Sequence, residues 1–178
     1  MPFAKNKITR LVGTGTILDP NTVEVKDGTK SEKIKAKKIL IATGSEVLDI
    51  PGIKVDETQI VSSTGALSLQ KVPKELVVIG GGYIGLELGS VWKRLGSKVT
   101  VVEFADRIVP ALDQEIGKSF HKILEKQGFN FMLSTKVLKA QTKGNAVELT
   151  VSDVSGSKQS SLSCDVVLVS VGRKPNTE

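Results

Sequence analysis

Apolar residues in this chain gather into short solid runs set between mixed stretches. Leu76–Ile79 and Val99–Val102 are β-branched and lack polar alternation, the pattern of strands buried on both faces. Phe129–Leu133 reads as a third parallel strand, Val166–Val171 as one returning to the same sheet, and Ile39–Ala42 as a further buried strand. A helical period separates the first two runs: Ile84, Leu88, Val91, Trp92 and Leu95 recur along one face, and Gly96 ends it. Pro110 and Asp113 announce a second helix with Asp113 and Glu115 in its first turn, Ile116, Phe120, Ile123 and Leu124 as its apolar side, and Gly128 as its stop. Residues 135–141, 146–152 and 160–164 alternate as a small antiparallel meander whose apolar face is Val147, Leu149 and Val151. Before all this, residues 8–12 and 23–26 read as an antiparallel pair joined near Asp19-Pro20-Asn21. Residues 46–75 are expected to be irregular, broken at Pro51-Gly52 and Pro73, with one helical turn at 64–69 and a domain boundary inside the stretch.

The first strand runs straight into Gly80, Gly82 and Gly85, a G-x-G-x-x-G, and the second closes on Glu103, 23 residues after Gly80. Strand, glycines, amphipathic helix, second strand and terminal acid in that order predict a βαβ dinucleotide-binding unit. The first glycine turns the chain, the second lets backbone approach a pyrophosphate, and the third lets helix pack on strand. The pyrophosphate then faces free N–H groups at the positive end of a helix dipole. Glu103 is placed to accept from both hydroxyls of an adenosine ribose. A 2′-phosphate there would meet a like charge at a cost of roughly 4 kcal/mol at moderate dielectric, so NAD is expected over NADP. Arg107 is the one nearby cation able to receive a phosphate, but the acid is better placed. The predicted fold class is α/β: a Rossmann-like parallel sheet with an antiparallel β-meander. Gly172, at the end of the last apolar run, falls where such sheets hold their ligand.

With 25 basic and 19 acidic residues the 178-residue chain carries a net charge of +6, densest at Lys33, Lys35, Lys37 and Lys38. Five Phe, one Tyr and one Trp leave little aromatic interleaving, so this run reads as a solvated face and no nucleic-acid partner is expected. No apolar stretch approaches a bilayer span, no membrane partner is expected, and the start resembles neither a signal nor a transit peptide. Cys164 is the only cysteine and His121 the only histidine. A lone thiol fits a reducing compartment; Cys164 is expected in the core and His121 toward the polar side of its helix. Neither a metal site nor a Cys–His nucleophile is expected.

Residues 39–45 (ILIATGS), 60–69 (IVSSTGALSL), 77–96 (VVIGGGYIGLELGSVWKRLG), 101–104 (VVEF) and 171–177 (VGRKPNT) together resemble the dihydrolipoamide dehydrogenase family, the flavoprotein component of 2-oxo-acid dehydrogenase complexes. The resemblance runs from about Ile8 to Thr177, and its wording around Leu88–Gly96 is nearest the mitochondrial form. It implies that Gly80, Gly82, Ile84, Gly85 and Glu103 hold NAD, that Gly172 approaches the same cofactor, and that Tyr83 and Glu87 stand beside nicotinamide and flavin. The i, i+4 spacing of Tyr83 and Glu87 agrees with a shared helix face. Thr43 and Gly44 match the strand end that lies near FAD.

The same resemblance implies a flavin-binding glycine motif, a redox Cys-x4-Cys pair and a His–Glu base, none of which this sequence contains. Residues 1–50 are therefore expected to be the tail of the FAD domain, 51–70 a connecting segment and 71–178 the NAD-binding domain. No catalytic residue is expected in this chain, its FAD site is expected to be incomplete, and by itself it is expected not to oxidise dihydrolipoamide. The resemblance further implies dihydrolipoyl groups and a second subunit of a homodimer as partners, and the mitochondrial matrix as location, with the cytoplasm as the alternative. Two alternatives are a freestanding NAD-binding or regulatory module without chemistry and a structural or interaction piece.

Overall fold

A computed structural model describes residues 2–177. The chain divides into two compact units, Met1–Gly44 and Ser45–Glu178.

The first unit opens with one helical turn, α1 (Pro2–Lys5), followed by β1 (Thr14–Asp19), β2 (Thr22–Asp27) and β3 (Lys30–Lys35), an antiparallel sheet in order β1-β2-β3. The turn is where Asp-Pro-Asn predicts it: Asn21 donates its N–H to Asp19 Oδ1 at 2.8 Å and its amide nitrogen to the Ala36 carbonyl at 2.9 Å. The first strand, however, is residues 14–19 and not 8–12; Leu11 and Val12 are exposed, and Gly13, at φ 145°, redirects the chain before β1. Lys33, Lys35, Lys37 and Lys38 are all exposed. The expectation of a buried strand at Ile39–Ala42 is corrected. These residues have no regular structure, and Leu40 and Ile41 are 90% and 67% exposed. An all-apolar strand needs flanking strands to take its N–H and C=O groups and layers to cover its faces; the described residues offer it neither.

The second unit is built on a five-stranded parallel sheet in order β5-β12-β6-β7-β8, from β5 (Ile60–Val61), β6 (Glu75–Ile79), β7 (Lys98–Val102), β8 (Asn130–Met132) and β12 (Val166–Val169). Successive side chains alternate between faces. Leu76, Val78, Val99, Val101, Val166 and Leu168 enter one core with Leu86, Trp92, Leu124 and Phe129 from the helical side. Val77, Ile79, Val102, Val167 and Val169 enter a second core with Val147, Leu149 and Val151. Cover on both faces is why these runs are solidly apolar.

The first face is covered by α2 (Ser63–Ala66), α3 (Tyr83–Arg94) and α4 (Gln114–Lys126). The other lies under the antiparallel meander β9 (Thr135–Lys143), β10 (Ala146–Asp153) and β11 (Gln159–Cys164), in order β11-β10-β9. A short pair, β4 (Ser45–Val47) with β13 (Arg173–Pro175), completes the unit. The stretch expected to be irregular thus supplies β4 and the edge strand β5. The helical turn within it is residues 63–66, capped by the Ser62 hydroxyl on Thr64 N–H.

Two helix-face expectations are corrected. In α3 the buried residues are Gly85, Leu86, Gly89 and Trp92, while Val91 and Leu95 are half exposed. Gly85 and Gly89 let the axis sink toward the sheet, and a side chain on Gly89 would meet the Phe129 ring at 3.2 Å. In α4, Leu124 and Gly117 are buried but Ile116 and Ile123 remain exposed. His121 does not point into solvent: its ring packs edge-on to Phe131 at 4.3 Å, with Nε2 3.8 Å from Glu125. Cys164 is buried, as expected, and burial pushes its thiol up to about 12.

Candidate functional site

Strand order creates the site. From β6 the chain steps outward to β7 and β8, then returns after the meander to β12 on the other side of β6. Loops leaving the carboxyl ends of β6 and β12 therefore part in opposite directions and open a crevice between them, the usual ligand position in open α/β sheets. The two loop starts are tied together: Ser170 donates its N–H to the Ile79 carbonyl at 2.9 Å, and its hydroxyl to the Ile79 and Gly80 carbonyls at 3.0 and 3.3 Å.

Each predicted glycine meets a distinct demand. Gly80 has φ 102°, and a Cβ there would lie 2.6 Å from the Ser170 carbonyl oxygen, so a side chain is excluded twice. Gly85 is pressed between strand and helix; a Cβ would collide with the Ser170 hydroxyl and stand 2.6 Å from the Gly80 oxygen and 2.8 Å from Val78. Gly82 is different. It has an ordinary φ of −78° as N-cap of α3, and a Cβ there would meet nothing within 4 Å. The protein itself leaves that space open, beside a helix start whose first N–H groups lack intrahelical acceptors.

Glu103 follows directly on β7 and borders the crevice. Its backbone is pinned by hydrogen bonds to the Met132 carbonyl and from Thr135 N–H, both at 2.9 Å. Its carboxylate is fixed as well: Oε2 accepts from Gly81 N–H at 2.5 Å and Oε1 from Ala105 N–H at 2.7 Å. Each oxygen keeps a lone pair for a further donor. Arg107 holds its guanidinium against Asp106 at 3.5 Å and the Pro110 carbonyl at 3.4 Å.

Two cavities meet at this acid. One, of about 330 Å³, is bordered by Gly80, Gly82, Tyr83, Ile84, Glu103 and Gly172. The other, of about 310 Å³, is mostly apolar, with Ile79, Val102, Phe104, Val137 and Val171 around Gly80 and Glu103. Six of the sequence-predicted residues thus line one cleft. Gly85 lies behind them as packing, and Glu87 is exposed one turn along α3 from Tyr83, itself 70% exposed. Thr43 and Gly44 belong to the first unit, at the end of the non-regular segment. Sequence reasoning did not single out Ser170, whose signal was a lone polar residue near the end of an apolar run. It also passed over Gly81, the middle of three consecutive glycines. Among the described residues no His, Cys, Asp and Glu side chains gather into a group able to hold a metal, and no helix is long and apolar enough to cross a membrane.

Fold and crevice together define a Rossmann-like α/β unit with a glycine-rich turn at its topological switch point. The chain belongs to the pyridine nucleotide-disulphide oxidoreductase family, whose model matches residues 3–178. It is 56% identical over 177 residues to the mitochondrial dihydrolipoyl dehydrogenase 1 of Arabidopsis thaliana, covering 98% of this chain and 35% of that protein. It is 54% identical to the leghemoglobin reductase of Glycine max, with 98% and 34% covered, and 50% identical to the mitochondrial dihydrolipoyl dehydrogenase of Schizosaccharomyces pombe, with 99% and 35% covered. The chain thus spans about a third of the length of these relatives. Among solved structures, the HOCl-induced flavoprotein disulfide reductase RclA from Escherichia coli matches with a TM-score of 0.73 at 29% identity, covering 99% of this chain and 41% of that one.

Proposed function

We propose that the second unit is the NAD-binding portion of a dihydrolipoyl dehydrogenase. The observation that carries this reading is Glu103: a carboxylate just after β7, held by the backbone N–H groups of Ala105 and of Gly81 in the glycine turn, beside the crevice. Its remaining lone pairs suit the two hydroxyls of an unphosphorylated ribose and repel a 2′-phosphate. In this reading the adenine lies in the apolar cavity by Phe104 and Val171, and the diphosphate lies against the open side of Gly82 at the start of α3. The nicotinamide reaches past Gly172 toward Tyr83 and Glu87.

Bound NAD supplies a hydride acceptor. The chain's own residues anchor the diphosphate, hold the ribose at Glu103 and orient the far ring, and such positioning accounts for several kcal/mol of a transfer barrier. We further assign to the whole enzyme the relatives' chemistry, oxidation of dihydrolipoyl groups through a disulfide and FAD, with Thr43 and Gly44 on the flavin side. A homodimer in the mitochondrial matrix belongs to the same proposal.

Calorimetric titration of this chain with NAD tests the core of it. Saturable one-to-one binding is expected; absence of binding by a folded sample would remove the reading.

A further inference from the structure

Val109 is the least expected backbone in the second unit. It is β-branched, precedes a proline, and stands at φ 41°. Left-handed geometry is a genuine outlier for such a residue, and proline ordinarily holds its predecessor extended. An outlier of this kind persists only where its surroundings over-determine it. Here they do: the Val109 side chain is 6% exposed within the helical-side core, its neighbour Ile108 is fully buried, and its carbonyl accepts from Leu112 N–H at 2.9 Å.

What this posture delivers is one hydrogen bond, from Val109 N–H to the Gly81 carbonyl at 2.8 Å. Gly81 is thereby held from two directions, its own N–H being bound by Glu103. A Cβ there would lie 3.2 Å from both Ile108 and the Glu103 carboxylate, so a side chain would press on both. The Gly81 carbonyl and the Gly82 N–H belong to one planar trans peptide and point in opposite directions. Fixing the carbonyl on the Val109 N–H therefore turns the Gly82 N–H away from that donor, and Gly82 borders the cleft together with Pro110.

We propose that Val109 is a positioning residue for diphosphate recognition: its buried side chain anchors a left-handed backbone whose N–H sets the peptide that presents the Gly82 amide. The proposal rests on the NAD reading above and deepens it by naming what orients the anion-binding amide. It separates from that reading because amide order is measurable without ligand.

The test compares Val109→Gly, which removes the anchor, with Val109→Ile, which keeps it, and with Leu124→Ala, a core cavity on α4 that lowers stability without touching the turn. In the ligand-free chain the Gly82 amide order parameter should be about 0.85 in wild type and below about 0.6 in Val109→Gly. It should stay high in the other two variants. Val109→Gly should weaken NAD and ADP-ribose about tenfold and adenosine by less than about twofold. If the glycine variant does not fold, Val109→Ala carries the same comparison. An ordered Gly82 amide in the anchor-free variant overturns the proposal, as does equal weakening of adenosine and NAD, or an equal effect from Leu124→Ala. Wild type that binds no NAD while Gly82 order still depends on Val109 would remove the functional reading and leave the positioning in place.

Discussion

Three glycines of one motif do three kinds of work, and substitution separates them. At Gly85 an added methyl has no room between helix and strand, so Gly85→Ala should cost about 1–3 kcal/mol of stability. At Gly82 the methyl enters open space at a permitted φ, so Gly82→Ala should change stability by about 1 kcal/mol or less, the scale of an N-cap effect. On the proposed NAD reading the same methyl lies where the diphosphate would approach, so Gly82→Ala should abolish measurable NAD binding. Urea unfolding and NAD titration of both variants check the contrast. The demands on Gly80 and Gly85 were legible from spacing alone, because the turn and the helix–strand contact are local and leave no room for a side chain. The roles of Gly81 and Val109 were not legible, since they depend on a segment nearly thirty residues downstream folding back against the turn.

Among elements, solidly apolar strands flanked by turn residues were the clearest to read, and β6, β7 and β12 lie where their runs predict. The faces of α3 and α4 were misjudged, that of α3 because large apolar residues mark a buried stripe only when the axis stands off the sheet. Paired glycines in α3 bring it closer and turn Val91 and Leu95 outward. Ile39–Ala42 shows a second limit, for an apolar run reads as a buried strand whether or not other strands lie beside it. The start of α4 followed its signal closely. Asp113 accepts from Glu115 N–H at 2.9 Å and Ile116 N–H at 3.3 Å. Asp113→Ala should therefore cost about 1 kcal/mol, read as a lowered urea midpoint with unchanged slope.

Across the second unit, the sheet is closed by helices on one face and the meander on the other, and Cys164 reports on that closure. It lies in the meander-side core at 3% exposure. Burial raises its thiol from the usual 9.0 to about 12, so at pH 8 the native thiolate should be about three orders of magnitude scarcer than in the unfolded chain. Because the folded site keeps its proton longer than the unfolded chain, Cys164 withdraws stability as pH rises from 9.0 toward about 12 and leaves it unchanged below that window. Alkylation at pH 8 should follow the unfolding rate; fast modification of folded protein would show the meander opening independently of the sheet.

The NAD reading proposed for the second unit rests on a single requirement, that an unphosphorylated adenosine ribose be held by Glu103. Parallel calorimetric titrations with NAD and NADP, on wild type and on Glu103→Ala, measure it directly. Charge repulsion of roughly 4 kcal/mol predicts a wild-type preference for NAD approaching a thousandfold, and a preference that collapses when the carboxylate is removed. An unchanged ratio of the two affinities in Glu103→Ala would contradict the assignment.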